Sequence, residues 1–172
     1  MKLRSHMILA SALIALAIGF RAPASAAESN TAAMQATHIG ADDGVLRVKS
    51  AYGVDETIAR LKADIAAKGI KFFDQIDQQK LAADAGVTLN PSTLLIFGNP
   101  PLGTQFLTAN PFSGLDWPVR MLVLKDADGQ VWIAWSDFTY IAHRHHITDR
   151  DPQFAMATMV SASIASAAQA KD

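Results

Sequence analysis

The sequence predicts an α+β fold, a two-layer sandwich in which helices cover one face of a mostly antiparallel sheet. Several short segments alternate apolar and polar residues, which is typical of strands, and the segments between them carry apolar residues three and four positions apart, which is typical of amphipathic helices. An Asp-Ala-Asp-Gly sequence at 126–129 separates two strand-like segments and indicates a β-hairpin. The predicted order of elements is βαβαβ, a loop, then ββα.

The domain is predicted to begin with a strand and a helix. Residues 44–50 alternate in polarity, as expected for a strand near a sheet edge. The next apolar residues are spaced by four, three and four positions and define one stripe of a helix: Val54, Ile58, Leu61 and Ile65. Charged residues of alternating sign, four positions apart, indicate a solvated opposite face. We expect Asp55 to cap this helix and Gly69 to end it.

A second strand, a short helix and a third strand are predicted next. Residues 70–76 alternate in polarity. We expect Asp77 to cap a helix over 78–85 in which Leu81 is directed inward. Residues 93–97 are apolar apart from the first, so the pattern predicts a central strand that is covered on both faces.

The C-terminal part is predicted to hold a hairpin and a final helix. Residues 102–109 are long enough for one or two helical turns, and the hairpin strands span 119–125 and 130–135. A helix over 152–168 follows, with Asp151 before Pro152 as its cap. One face of this helix carries Met156, Val160, Ser163 and Ala167.

Two tryptophans of the last strand predict a contact surface. Trp132 and Trp135 are three positions apart, so the two-residue period of a strand sends them to opposite faces of the sheet. At least one of them then faces away from the helical layer, and an exposed aromatic residue is typical of an interface. We therefore expect a homodimer that forms through this sheet.

The N-terminal region has the pattern of a secretory signal peptide over residues 1–26. Lys2 and Arg4 precede an apolar run over 7–20, and Ala24-Ser25-Ala26 matches the cleavage-site rule. As a helix, the apolar run covers only about 21 Å, short of the roughly 30 Å of a bilayer core. We expect cleavage after Ala26, a periplasmic or secreted protein that does not enter the membrane, a flexible lead-in over 27–43, and a single domain over 44–170.

Composition excludes several classes of function. The chain has no cysteine, which excludes disulfides, a thiol nucleophile and a cysteine-based zinc site. The net charge of −1 for the whole chain offers no basic field for a nucleic-acid partner. No phosphate-binding glycine loop, metalloprotease motif or nucleophile-elbow motif occurs.

Six short blocks in combination match the pattern of a known family. The blocks lie at 76–77, 86–91, 95–100, 115–120, 126–131 and 140–147, and the last has Arg144-His145 at its centre. They resemble the bacterial family known as domain of unknown function 302, over residues 45 to about 165. The resemblance implies a small α+β domain, often exported, with no settled biochemical activity. The chain departs from the family pattern at Gln78, where a His often follows the Asp, and at Trp117, where an aliphatic residue is usual.

The first hypothesis for function is a module that binds a small molecule or anion. The turn Phe97-Gly98-Asn99-Pro100 follows the most apolar strand, and ligands often bind in loops at strand ends. An arginine fork and a titratable ring at 144–145 suit an anion. We expect both segments to meet across one cleft, with the Cβ atoms of Asn99 and His145 within about 15 Å. The candidate ligand-binding residues are Gly98, Asn99, Tyr140, Arg144 and His145.

A purely structural role is the alternative for the same residues. Asn99 then closes a turn, and Arg144 pairs on the surface with Asp137 or Asp149. His145 in that case hydrogen-bonds a backbone carbonyl.

A second hypothesis is a copper or zinc site formed by His143, His145 and His146. On an extended segment His143 and His145 share a face, and neutral imidazoles suit these metals. The nearest carboxylates in sequence are Asp137, Asp149 and Asp151.

A hydrolase or isomerase is a third hypothesis, which the sequence favours least because it shows no mutual geometry for acid-base groups. Its candidate groups are Asp77, Arg120, Asp137, Tyr140 and His145.

Overall fold

The computed structural model describes residues 43–169. The predicted signal peptide and all but the last residue of the predicted lead-in lie outside these residues. The strands are β1 (Val45–Lys49), β2 (Lys71–Asp77), β3 (Ser92–Gly98), β4 (Val119–Lys125) and β5 (Val131–Ser136). The helices are α1 (Val54–Ala67), α2 (Gln78–Asp84), α3 (Pro100–Ala109), α4 (Phe138–Arg144) and α5 (Asp151–Ser166), and a 3-10 helix spans Pro111–Leu115.

The strands form one open five-stranded sheet in the order β1-β5-β4-β3-β2. Every neighbouring pair is antiparallel. This arrangement confirms the predicted α+β class, and β1 occupies a sheet edge as expected. β4 is the central strand, and β3 lies between it and the edge strand β2.

The core lies between one face of the sheet and the helices. Side chains that alternate along the strands are buried on this face: Leu46, Val48, Leu95, Phe97, Met121, Val123, Ile133 and Trp135. Leu61 and Ile65 of α1 and Ile164 of α5 are fully buried against them. The predicted stripe of α1 is therefore confirmed as its core-facing side.

The other face of the sheet is half-exposed, which corrects the prediction for β3. Leu94 and Ile96 are only half-buried, whereas Leu95 and Phe97 on the core face are at most 1% exposed. The unbroken apolar run predicted a strand covered on both faces. The run is apolar throughout because the face of the sheet opposite the core is also largely apolar.

The first two helices begin and end partly as predicted. Gly53, not Asp55, is the N-cap of α1, and Asp55 lies in its first turn, where a carboxylate favours the positive end of the helix dipole. Asp77 caps α2 as expected, since its side chain accepts the Lys80 N–H at 2.9 Å. Leu81 is 59% exposed, so the prediction that it points inward is wrong.

The later helices differ more from the prediction. α3 is a full ten-residue helix, and α4 is a helix where the sequence predicted none. Asp137 caps α4 by accepting the Thr139 N–H at 2.8 Å. In α5 the buried residues include Phe154, whereas Met156 of the predicted stripe is 51% exposed, because the larger Phe and Ile residues select the opposite face. Among residues 43–169, no helix is long and apolar enough to cross a membrane.

The hairpin between β4 and β5 is held by one carboxylate. Asp126 Oδ1 accepts the backbone N–H groups of Asp128 at 3.0 Å and Gln130 at 2.8 Å, and Oδ2 accepts the Trp132 indole N–H at 2.6 Å. The bond from Trp132 is the main reason that the pKa of Asp126 lies below its ordinary value. Gly129 completes the turn at φ +86°. The predicted hairpin is confirmed.

Candidate functional site

His145 is a buried histidine at the C-terminal end of α4. Its ring is 6% exposed, and its Nε2 lies 2.6 Å from Asp116 Oδ2. Its backbone carbonyl accepts the Asn110 side-chain amide at 2.9 Å. The segments on either side of the 3-10 helix therefore both hold His145 in place.

Asp116 also pairs with two arginines. Arg120 Nη2 and Arg144 Nη1 each lie 3.3 Å from Asp116 Oδ1, and Arg120 also donates to the Leu115 carbonyl at 2.7 Å. The Asp116 side chain is only 7% exposed, whereas Arg120 and Arg144 are 45% and 50% exposed. We call these four residues the Asp116 cluster: Asp116, Arg120, Arg144 and His145.

The cluster carries an excess of positive charge. One carboxylate faces two guanidinium groups, so their formal charges sum to +1. Each guanidinium has five N–H donors in a planar fork, and the bonds named above use only some of them. The half-exposed arginines can therefore bind a further acceptor from solution.

The predicted turn at 97–100 is joined to the cluster through a tryptophan. A Cβ atom added at Gly98 would lie 2.4 Å from the Trp117 ring, and one added at Gly103 of α3 would lie 2.0 Å from it. Trp117 directly follows Asp116, so the glycine turn packs against the segment that carries the cluster. Asn99 is exposed and begins α3 without a side-chain capping bond. The separation of its Cβ atom from that of His145 stays a prediction.

Tyr140 packs at the start of the sheet. A Cβ atom added at Gly44 would lie 2.3 Å from its ring, and the tyrosine is 45% exposed. The described contact of Tyr140 is thus with the residue before β1.

The histidines of the predicted metal site lie in two different environments at the end of α4. The sequence analysis assumed an extended segment, but His143 lies in the last turn of α4 and His146 follows it at φ 53°. His145 points to Asp116, whereas His143 and His146 line a separate cavity of about 760 Å³ together with Asp151 and Phe154. Residues 43–169 contain no group of three or more His, Cys, Asp or Glu side chains arranged to hold a metal. The prediction that His143 and His145 share a face is wrong.

The surface pairs predicted for Arg144 are also wrong. Asp137 caps α4, and Asp149 pairs with Arg150 at 2.5 Å. The partner of Arg144 is Asp116, 28 positions earlier in the chain. The sequence carries no periodic signal for this contact, because an irregular loop positions Asp116 and a helix end positions Arg144 and His145.

Comparison with known proteins gives one family and one fold. The family model described as domain of unknown function DUF302 matches residues 46–170. A solved structure described as an uncharacterized conserved DUF302 protein from Bacillus stearothermophilus has a TM-score of 0.68 at 19% identity, over 74% of this chain and 99% of that chain. This structural similarity supports the fold alone.

Curated relatives are similar over part of their length. The chain is 38% identical over 106 residues to a protein named fluoride-specific ion channel FluC 1 from Brucella suis biovar 1, covering 62% of this chain and 42% of that protein. The protein of the same name from Brucella abortus biovar 1 is also 38% identical over 106 residues, covering 39% of its length. The chain thus spans about two fifths of the curated relatives that it matches.

Proposed function

The chain belongs to the family of domain of unknown function DUF302, and from that premise we propose that it is a binding module for a small anion, held at the Asp116 cluster by Arg120 and Arg144. The family description assigns no activity. The proposal therefore rests on the chemistry of the side chains themselves.

The convergence of two arginines on one carboxylate oxygen carries the proposal. Both guanidinium groups lie 3.3 Å from Asp116 Oδ1, which is longer than the usual charge-assisted bond of about 2.7–2.9 Å. Asp116 Oδ1 accepts one N–H from each arginine, and both arginines keep further N–H donors on half-exposed side chains. A second anion between them would satisfy those donors and offset the remaining positive charge.

Asp116 and His145 are positioning residues in this proposal. Both are more than nine-tenths buried, and the bond between them fixes the loop that precedes β4 against the end of α4. Because Arg120 lies on β4 and Arg144 on α4, this bond also sets the distance between the two guanidinium groups.

Fluoride is the anion that we propose first. The curated relatives are named as fluoride-specific channels, and the chain is similar to about two fifths of their length. Fluoride is small and accepts strong hydrogen bonds, so it fits between two guanidinium groups that share one oxygen. In this proposal the domain binds the ion that the relatives are named for.

A titration followed by NMR tests the proposal. The arginine side-chain N–H signals of the purified protein are recorded while fluoride, chloride, formate or phosphate is added. We expect saturable shifts for Arg120 and Arg144, largest for fluoride, and roughly tenfold weaker binding in Arg120→Gln and Arg144→Gln. Arg60→Gln is the matched control, since Arg60 is also half-exposed and pairs with Glu56 at 2.8 Å.

Two results would overturn this function. One is the absence of saturable shifts with all four anions. The other is an affinity that Arg120→Gln and Arg144→Gln leave at the value of the Arg60→Gln control. Saturable binding of formate or phosphate in preference to fluoride would support the anion site and reject fluoride as its ligand.

A further inference from the structure

The sheet face opposite the core is largely apolar and half-buried among the described residues. Cross-strand register places its side chains in neighbouring rows, one of which contains Leu94, Leu122 and Ala134, and the next Ser92, Leu124 and Trp132. Ile76 extends the first row across β2, and Ile96 lies in the row on the other side of it. We call this surface the open face. A continuous apolar surface of this kind is unusual on a monomer and is typical of an interaction site.

The apolar surface continues past the ends of the strands. Leu89 is 42% exposed and lines a shallow cavity of about 400 Å³ together with Leu124 and Ser92 of the open face. Val87, in the same loop, is 57% exposed. The open face and this loop therefore form one surface.

We propose that the open face binds the open face of a second copy of this chain, about a two-fold axis that runs along the strands over β4. β4 is the central strand, so this axis places β3 of one copy over β5 of the other. In the first row, the large Leu94 then faces the small Ala134 of the second copy. In the next row, the large Trp132 faces the small Ser92 of the second copy. On the axis Leu122 and Leu124 meet their own copies, and on either side of it a large side chain faces a small one, as close packing of two sheets about 10 Å apart favours.

Charge favours the same axis. It lays β1 of one copy over β2 of the other, so Arg47, which also pairs with Asp43 of its own chain, lies opposite Ile76 of the second copy and one row from Asp74. An axis across the strands would instead place Arg47 near Arg47 of the second copy. Arg120 also lies on this face of β4, but its guanidinium turns to Leu115 and Asp116 at the strand end and leaves the apolar rows free.

The sheet supplies part of the area that a dimer interface needs. Five strands of five to seven residues cover about 24 by 20 Å at the usual spacings of a sheet, which is roughly 500 Å² in projection. The corrugated accessible surface is larger, and the loop with Val87 and Leu89 adds to it. A standard interface buries about 800 Å² on each partner.

Analytical ultracentrifugation of the purified protein tests the interface. We expect a mass of two chains at micromolar concentration. Leu122→Glu, at the centre of the open face, should raise the dissociation constant of the dimer tenfold or more. Phe112→Glu, at a residue that is 76% exposed outside this face, is the matched control and should leave the dimer unchanged. Circular dichroism of each variant establishes that it is folded.

A charge exchange tests the orientation. Arg47→Glu or Asp74→Arg alone should weaken the dimer, and the double variant should restore most of the loss. A wild-type protein that is monomeric up to high micromolar concentration would overturn the proposal. A dimer that Leu122→Glu leaves unchanged would also overturn it, and a double variant weaker than both single ones would reject the axis.

Discussion

Trp117 shows how much a single residue determines at the edge of the site. Its ring occupies the space that a side chain would need at both Gly98 and Gly103. Glycine lets another group approach the backbone closely, and the group that approaches Gly98 is the indole of Trp117. Nothing local to the turn could reveal this, since Trp117 lies in a separate loop.

Gly103→Ala should destabilise the protein by about 1–3 kcal/mol, because the new Cβ atom meets the rigid Trp117 ring at 2.0 Å. The same change in a Trp117→Leu background should be neutral or stabilising, since alanine is the better helix former by about 1 kcal/mol. Urea denaturation of the four proteins of this double-mutant cycle gives the coupling energy. Equal losses in both backgrounds would show that the ring is not the cause.

His146 occupies a backbone conformation that favours glycine. It follows the end of α4 at φ 53°, and the next N–H, that of Ile147, donates back to the Ala142 carbonyl at 3.0 Å. His146→Gly should therefore raise the free energy of unfolding by about 1 kcal/mol.

The control for His146→Gly is His143→Gly, inside the last turn of α4, which should lower the free energy of unfolding by a similar amount. Thermal or urea denaturation measures both. A loss of stability in His146→Gly would show that the imidazole makes contacts that outweigh the backbone strain.

At the scale of elements, the sequence predicts best where one element carries its own periodic pattern. The apolar stripe of α1 and the turn at Asp126 are complete within a few residues, and both are confirmed. The sequence did not predict α4. Only Phe138 and Ile141 are buried among its seven residues, and two apolar positions are too few to define a helical period. β3 was predicted as covered on both faces because sequence does not distinguish an apolar surface that meets helices from one that does not.

The hairpin should contribute to acid sensitivity through Asp126. The Trp132 indole N–H and backbone N–H groups lower the pKa of this carboxyl in the folded state. Its contribution to stability is therefore present above the ordinary aspartate range and is lost as the pH falls through the lowered pKa. In Asp126→Asn, the free energy of unfolding should fall less steeply below about pH 4.

Urea denaturation at a series of pH values measures that slope for wild type, Asp126→Asn and Asp128→Asn, the last as a control for removing one charge from the same turn. If wild type and Asp126→Asn lose stability in parallel as the pH falls, the hydrogen bond from Trp132 does not govern the acid response.

At the scale of the whole molecule, the site is a property of the topology. Asp116 and His145 are both buried, yet 29 positions and three elements separate them in the chain. Sequence identified Arg144 and His145 as one half of a site and placed Arg120 in another hypothesis. It could not bring them together, because their common partner is set by how the loop before β4 packs on the end of α4.

The export prediction also concerns the whole chain. We expect the mature protein to begin at Ala27, because Ala24 and Ala26 are small enough for the cleavage-site rule. The mature chain then has 12 basic and 16 acidic residues. Intact-mass measurement of protein from the periplasm or medium checks this, and a chain that keeps Met1 in the membrane fraction would contradict both the processing and the location.

The order of strands in the sheet has a consequence for how the chain acquires its structure. β1 is the first described strand in sequence, but its hydrogen-bonding partner is β5, the last, with Leu46 opposite Trp135. A polypeptide that emerges N-terminus first from a ribosome or a translocation channel thus cannot complete its sheet until nearly all of it has emerged. Until then β2, β3 and β4 can pair locally, but β1 cannot form its hydrogen bonds with β5. Only the edge pairing of β1 with β5, and with it the complete sheet, is therefore delayed to the end of synthesis.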